Sequence, residues 1–298
     1  MDVVLDAMPA VAGLYARALA AARRPDVSQG LPQTTVRLAG HRCSVAEVAA
    51  YDSVCGFVLA DELPATWLHV LTFPLQLTLM TAAHFPLAPL GMVHVSNVMT
   101  QHRPALITES FDLAVHAENL RPHRRGVLVD LVGEVRVGDE LVWHGRSVYL
   151  NRQVTLPTPA TSSEDVGSWP DVGPRSDALF DAAARQLCPA GRWRLPGDLG
   201  RRYAVVSGDV NPIHLNPLAA KAFGFPRTIA HGMYTHARML AALQSRLPKA
   251  YEVSVEFAKP VLLPSTVAFS VAETPDGFVA EVANRTGDKV HATMAMTA

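Results

Sequence analysis

The chain has 298 residues, of which 49% are hydrophobic and 18% charged, and its formal net charge is −1. This length allows one large domain or two ordinary ones, and the absence of a basic patch or acidic tail argues against a nucleic-acid partner. The three cysteines, Cys43, Cys55 and Cys188, form no CxxC motif and no disulfide framework. Because such cysteine usage fits a reducing compartment, the sequence predicts a cytoplasmic protein.

Two segments have features of targeting or membrane sequences. The N-terminal MDVVLDAMPAVAGLYARALAAARR lacks a basic start, an apolar centre and a cleavage site in that order, so we expect an amphipathic helix and no signal peptide. Between Glu62 and Arg103 the chain has no Asp, Glu, Lys or Arg, but prolines and histidines interrupt it. This second segment therefore favours a helix buried in a folded core over a membrane span.

The chain contains an internal repeat. Four segments recur in the same order: YDSVCGF (51–57) matches YAVVSGD (203–209), HVLTFPLQLTLM (69–80) matches TIAHGMYTHARM (228–239), HRPALI (102–107) resembles AKPVLL (258–263), and RVGDELV (136–142) matches RTGDKVH (285–291). Four matches in order indicate a duplicated domain. We expect an N-terminal repeat over 1–155, a Pro-, Ser-, Thr- and Gly-rich linker over 156–177, and a C-terminal repeat over 178–298.

Both repeats show the same succession of elements. A strand comes first, then a polar segment, which in the first half carries a capping box at Ser44 and Glu47. A long apolar helix follows, at about 74–84 in the first half and 232–247 in the second. Alternating strands separated by hairpin signals such as PDG and TGD complete each repeat. One apolar helix followed by an antiparallel sheet indicates the hotdog arrangement, so we predict an α+β double hotdog.

The segment SGDVNPIH, residues 207–214, holds the candidate reactive groups. On its residue types alone, an Asx-type turn with a packed histidine is the default interpretation. However, Asp209 and His214 stand in an irregular loop, where two side chains five residues apart can converge on one point. Because a carboxylate orients an imidazole and stabilises its charged form, this pair suits removal of a proton from water. Such chemistry would add water to a conjugated double bond, or in reverse would eliminate water to form that bond.

A negative charge that develops during this addition needs a hydrogen-bond donor. Gly232, in IAHGMYTHARM, stands where the long helix of the second half is predicted to begin. A free backbone N–H at that position, with the helix dipole behind it, would bond a thioester carbonyl oxygen. Glycine there would let the ligand approach closely.

The segment YAVVSGDVNPIHLNPLAAKAFGFPRTIAHGM, residues 203–233, resembles the hydratase-2 motif of the MaoC-like dehydratases, the (R)-specific enoyl-CoA hydratases. The resemblance implies the hotdog fold, with Asp209 and His214 as the catalytic pair. It implies that Asn211 supports the hydrogen bonds of the site and that the Gly232 N–H holds the thioester oxygen. It also implies hydration of trans-2-enoyl thioesters to (R)-3-hydroxyacyl thioesters in fatty-acid metabolism.

Further candidates are weaker on the sequence alone. Tyr203 and Ser207 would line the site, although a packed tyrosine and a turn serine are simpler interpretations. Lys259 would meet a phosphate of the substrate carrier, coenzyme A or acyl carrier protein, but a solvated strand-end lysine is the simpler reading. His231 is expected to be structural. The twelve histidines show no zinc-binding spacing, and the proposed reaction needs no metal or other cofactor.

The first half is expected to lack an active site. An ungapped match of the two tyrosine segments places Phe57 opposite Asp209 and Glu62 opposite His214. We therefore predict one active site per chain, with an N-terminal repeat that shapes the acyl pocket and leaves room for a longer or bulkier chain. A non-catalytic acyl-thioester-binding protein and a hotdog thioesterase stay open as alternatives. A monomer and a homodimer are equally compatible with the sequence.

Overall fold

The computed structural model describes residues 2–20, 26–156 and 186–298. The first half holds β1 (Asp2–Leu5), α1 (Val11–Ala20), β2 (Thr35–Arg42), α2 (Val45–Cys55), α3 (Ala65–Met80), β3 (Val93–Gln101), β4 (Ser110–His123), β5 (Gly126–Val137) and β6 (Glu140–Asn151). The second half holds β7 (Cys188–Leu195), α4 (Leu199–Ser207), α5 (Pro212–Leu215), α6 (Pro217–Ala222), α7 (Gly232–Ala242), a 3₁₀ turn (Gln244–Arg246), β8 (Tyr251–Phe257), β9 (Ser265–Thr274), β10 (Gly277–Asn284) and β11 (Val290–Thr297). Apart from residue 156, the predicted linker lies outside the described residues.

The strands form one sheet in the order β1-β2-β4-β5-β6-β3-β8-β11-β10-β9-β7. If β1 is set aside, strands at equal distances from the centre correspond: β2 with β7, β4 with β9, β5 with β10, β6 with β11, and β3 with β8. At the centre, Val98 pairs with Ser254 in antiparallel register. The two repeats thus meet about a pseudo-twofold axis, and the predicted α+β double hotdog is confirmed.

The central helix of the first half is buried on every side. Every residue of α3 except Thr78 is buried, which confirms a core helix in this segment. The predicted bounds of 74–84 are wrong, because α3 runs from Ala65 to Met80 and accommodates Pro74 in its interior. Proline favours a helix start, but burial of the whole helix offsets the hydrogen bond that Pro74 removes. Among the residues that the structure describes, no helix has the length and apolar character needed to cross a membrane.

Two shorter helices confirm the first of the repeat matches. Helix α2 begins with the predicted capping box at Ser44 and ends at Gly56, which has a φ of 86°. Helix α4 ends in the same way at Gly208, with a φ of 74°. Glycine adopts this left-handed conformation without the steric cost that a side chain would add. Tyr51 and Tyr203 pack against each other with ring centroids 6.3 Å apart.

The structure corrects the predicted partner of His214. Glu62 forms an isolated antiparallel bridge with Leu106, and Ile229 forms the corresponding bridge with Leu262. Glu62 is therefore the equivalent of Ile229, and the ungapped match that placed it opposite His214 is wrong. The ungapped match fails because the second half carries an insertion between Gly208 and Ile229.

This insertion forms an overhang that the first half lacks. Between Gly208 and Ile229 the second half inserts helices α5 and α6, whereas Gly56 and Glu62 are joined directly by a short loop. Phe57 directly follows the left-handed Gly56, and Asp209 directly follows the left-handed Gly208. Phe57 and Asp209 therefore occupy corresponding positions. Phe57 is a buried apolar ring, and no helix of the described first half corresponds to α5, which carries His214.

The N-terminal segment differs from the continuous helix that the sequence predicts. Asp2–Leu5 instead forms β1, which pairs in parallel with β2 at one edge of the sheet. The helix is confined to Val11–Ala20 in the described residues. Leu14 and Tyr15 of this helix are buried, and Tyr15 reaches the second half. The N-terminal helix thus contributes directly to the site described next.

Candidate active site

The loop after α4 holds Asp209 by short-range hydrogen bonds. The Asn211 backbone N–H donates to Oδ1 of Asp209 at 3.1 Å, and the Ser207 hydroxyl accepts the Asp209 N–H at 3.2 Å. The side-chain oxygen of Asn211 caps α5 by accepting the Ile213 N–H at 3.4 Å. Asn211 and Ser207 therefore shape the loop backbone, as the turn interpretation anticipated, while the loop directs Asp209 inward.

Asp209 is a partly buried carboxylate with several partners. The Tyr15 hydroxyl donates to its Oδ1 at 2.7 Å, and His231 Nε2 lies 3.8 Å from its Oδ2. Burial alone would raise the pKa of Asp209. The imidazoles of His231 and His214, the Tyr15 hydroxyl and the Asn211 N–H together outweigh burial, so its pKa lies below the ordinary value. Asp209 is therefore ionised at neutral pH.

His214 is held as a neutral imidazole. Its Nδ1 lies 2.8 Å from the Ile229 carbonyl oxygen, which only accepts, so Nδ1 carries the proton and Nε2 keeps a free lone pair. The His214 and His231 rings stack with centroids 3.6 Å apart. Burial, followed by the neighbouring His231, lowers the pKa of His214 to about 3. His214 is thus able to accept a proton through Nε2.

His231 and Gly232 stand at the start of the central helix α7. His231 Nε2 donates to the backbone carbonyl of Asp209 at 3.0 Å, which ties the loop to the helix and supports the structural role predicted for this histidine. Gly232 is the first residue of α7, and no hydrogen bond to its N–H is found among the described residues. A Cβ at Gly232 would lie 3.0 Å from the ring of Phe257, so a side chain here would crowd the site.

Asp209, His214 and His231 also form a cluster of possible metal ligands, with one ligand-type atom of each within 4.8 Å of the others. The hydrogen bonds favour proton transfer instead. Nε2 of His231 donates to a carbonyl oxygen and so has no lone pair for a metal. The Asp209 carboxylate already accepts two hydrogen bonds at Oδ1.

A cavity of about 530 Å³ joins these groups to the N-terminal repeat. One wall carries Asp209, His214 and Gly232, and another is the apolar face of α3, formed by Val70, Phe73, Leu77 and Met80. Tyr203 and Ser207 also line the cavity, and Lys259 is exposed at its edge together with Arg124 and Arg152. The shape suits a ligand with a polar head and a long apolar tail.

Tyr15 is the site residue that sequence reasoning missed. It is separated from Asp209 by 194 positions, and its surroundings in the sequence are those of an ordinary amphipathic helix. The only local signal is a tyrosine on the apolar face of that helix, which is typical of simple packing. The contact depends on the path of the chain across the sheet.

A sheet wrapped around two central helices, with a partly buried carboxylate and a buried imidazole beside a helix N-terminus, defines a double-hotdog protein of the hydratase and dehydratase class. Residues 195–294 match the family model described as MaoC like domain. The 3-hydroxyacyl-thioester dehydratase X of Mycobacterium tuberculosis is 43% identical over 252 residues, which cover 83% of each chain. The chain therefore belongs to the MaoC-like dehydratase family.

Solved structures agree with this assignment. A crystal structure of HtdX from Mycobacterium tuberculosis is 39% identical, with a TM-score of 0.74 over 88% of this chain and 98% of that one. A MaoC-like dehydratase from Phytophthora capsici is only 16% identical, yet its TM-score is 0.66 over 90% of this chain and 96% of that one. This second likeness shows the shared fold alone.

Proposed function

We propose that this protein is a hydro-lyase that reversibly hydrates trans-2-enoyl thioesters to (R)-3-hydroxyacyl thioesters in fatty-acid metabolism. The observation that carries the proposal is the convergence of the ionised Asp209, the neutral Nε2 of His214 and the unbonded Gly232 N–H on one cavity. Family membership supports it, as does the relative named for 3-hydroxyacyl-thioester dehydration.

In the proposed reaction, Asp209 and His214 hold one water molecule. The pair removes a proton as the water oxygen bonds to C3, and the double-bond electrons move towards the thioester oxygen. The Gly232 N–H bonds that oxygen as negative charge develops on it. The enolate then collapses, and C2 takes a proton from the pair, so one water is consumed and no electron is transferred. Dehydration follows the same steps in reverse.

We propose that the acyl chain runs along the apolar face of α3. Because the first half lacks the α5–α6 overhang, space is available there for a long or bulky chain. The exposed Lys259 at the cavity edge suits a phosphate of coenzyme A or of an acyl carrier protein. Turnover that drops sharply beyond short acyl chains would contradict this placement.

The direct test is a hydration assay with trans-2-enoyl-CoA esters of increasing length, followed by the loss of the conjugated thioester absorbance. We expect turnover and a product of (R) configuration. Release of free thiol without loss of the double bond would identify a thioesterase. Binding of the ester with neither reaction would identify a non-catalytic acyl-thioester-binding protein.

Tyr15→Phe is expected to lower kcat about tenfold with little change in KM. Loss of the hydroxyl removes a hydrogen bond to a charged group, a bond that contributes about 1.5–3 kcal/mol. Because that bond favours the ionised form, the acid limb of kcat should also move to higher pH. Tyr234→Phe is the matched control, since Tyr234 is buried beside Tyr203 but lies outside the cavity lining. An unchanged pH profile in Tyr15→Phe would refute the role of Tyr15.

Gly200→Ala is expected to lower kcat/KM at least tenfold. A Cβ at Gly200 of α4 would lie 2.1 Å from the His214 carbonyl oxygen, so α5 has to shift and move the His214 ring. A displacement of about 1 Å in a catalytic group costs rates of this size or larger. Gly197→Ala is the control, because its added Cβ would meet nothing closer than Pro264 Cδ at 3.7 Å. Equal activity in the two variants would show that the position of His214 tolerates the change.

The three cysteines, Cys43, Cys55 and Cys188, are free thiols in the structure. Burial raises the pKa of both Cys43 and Cys55, which makes each a poorer nucleophile than an ordinary thiol. We therefore assign no chemistry to them, and propose the reducing cytoplasm as the location that such cysteines suit.

A further inference from the structure

Three polar rings interrupt the apolar lining of the cavity. They are His69 on α3, His94 on β3 and Tyr149 on β6, and together we name them the polar band. The His94 ring centroid lies 4.5 Å from that of Tyr149 and 6.1 Å from that of His69. On α3, the cavity-lining residues that follow His69 are all apolar. The band is therefore a local feature of one wall, contributed entirely by the N-terminal repeat.

One nitrogen of this band lacks a partner among the described residues. Nε2 of His94 is buried and has no hydrogen-bond partner there, whereas the backbone of Ser96 pairs with the same ring. Buried polar groups are normally paired, and one left unpaired is destabilising. Since both rings face a cavity, a bound ligand is able to supply the missing partner.

The electrostatics select the kind of ligand. Burial lowers the pKa of His69 to about 4 and that of His94 to about 3, so both rings are neutral at neutral pH. Because the backbone of Ser96 pairs with the His94 ring, Nε2 is the nitrogen of His94 that is left for a ligand, whereas the neutral His69 ring carries one donor and one acceptor. Together these groups suit an uncharged hydroxyl or carbonyl oxygen, whereas a carboxylate would add a second negative charge near Asp209.

The position of the band relates it to the acyl chain. The His94 ring meets the Phe257 ring edge-on at 5.3 Å, and Phe257 in turn lies against Gly232. A chain that starts at Gly232 and follows α3 passes His69 before it reaches the apolar residues of the next turns. With the acyl chain placed in this way, the band would lie beside the first carbons beyond the reacting double bond.

We propose that the polar band binds a neutral oxygen on the acyl chain, so that the preferred substrates are enoyl thioesters with a hydroxyl or keto group a few carbons beyond the double bond. The proposal rests on the hydratase function given above. A site built to hydrogen-bond a substrate hydroxyl discriminates against the analogue that lacks it, because the groups of the site are then left unpaired. A plain alkyl chain would leave Nε2 of His94 without a hydrogen-bond partner.

The test compares trans-2-octenoyl-CoA with its 5-, 6- and 7-hydroxy derivatives in the hydration assay. We expect kcat/KM for at least one hydroxy ester to exceed that of the plain ester by about tenfold or more. His94→Phe should bring the ratio to about one by losing activity on the hydroxy ester, whereas His94→Gln, which keeps a donor and an acceptor, should retain the preference. Phe73→Leu is the control, since it alters the apolar wall and should change both activities alike.

The two failures are distinguishable. If the wild-type protein hydrates the plain ester at least as well as every hydroxy ester, the polar band does not select oxygenated chains and the inference is overturned. A parallel loss of both activities in His94→Phe and His94→Gln would also overturn it, since it would assign His94 to structure only. If no enoyl ester is hydrated at all, the hydratase function itself fails.

Discussion

Asp209→Asn and His214→Gln are each expected to lower kcat for enoyl-thioester hydration by about three orders of magnitude, within the range seen for general acid–base groups. Asn keeps the size of the aspartate and an oxygen that accepts the Tyr15 hydroxyl, but it carries no charge. Gln removes the basic Nε2 that faces the cavity. In both variants the new side chain is close in volume to the original, so thermal unfolding should show that the protein is folded. The loss of activity is measured as the fall in kcat.

The double variant Asp209→Asn/His214→Gln separates a joint role from two independent ones. If the two side chains act on one water as a unit, the double variant should be about as slow as the slower single variant. Glu62→Gln is the control, because the ungapped repeat match placed Glu62 opposite His214, whereas the structure pairs it with Leu106 away from the cavity lining. Full activity in either single variant would refute the catalytic assignment.

The protein is expected to lose much of its stability in mild acid. Burial lowers the pKa of several histidines, most strongly to about 4 for His69 and to about 3 for His94, His214 and His236. In the unfolded chain their pKa is about 6.5. Between these limits the unfolded state binds protons that the native state does not, so the free energy of unfolding falls as the pH drops below 6.5.

The size of this effect is large relative to ordinary domain stability. At pH 5.5 each such histidine lowers the free energy of unfolding by about 1.4 kcal/mol relative to neutral pH, against a typical total of about 5–15 kcal/mol. Asp52 acts with the opposite sign, because burial raises its pKa to about 6, and it offsets part of the loss. Urea unfolding at pH 7.5, 6.5 and 5.5 should therefore show a falling midpoint.

His236 provides the internal control for this prediction. It is fully buried on α7, both its ring nitrogens lack partners among the described residues, and it does not line the cavity. His236→Leu should reduce the number of protons taken up on unfolding in mild acid by about one, and so weaken the pH dependence of the unfolding free energy. A urea midpoint that stays constant between pH 7.5 and 5.5 would contradict the buried neutral state of these histidines.

Local patterns in the sequence predicted the parts of the site that depend on neighbouring residues. The capping box at Ser44 and the hairpin turns have their expected geometry, because their hydrogen bonds join residues only a few positions apart. The order of elements in each half was enough to identify the double hotdog. The conformation of the loop from Asp209 to His214 is likewise set by short-range hydrogen bonds. The Asp209 N–H donates to the Ser207 hydroxyl, and the Asn211 N–H donates to the Asp209 carboxylate.

By itself, then, the sequence determined the fold class and the duplication and predicted the candidate catalytic pair, since each is a pattern within one short segment or between two similar ones. Only the tertiary structure decided that Tyr15 reaches Asp209, that Glu62 corresponds to Ile229, and that His94 lies beside Tyr149 in the cavity wall. These contacts join residues far apart in the chain. Their partners are set by sheet register and by how the two repeats pack, which no local pattern of residues encodes.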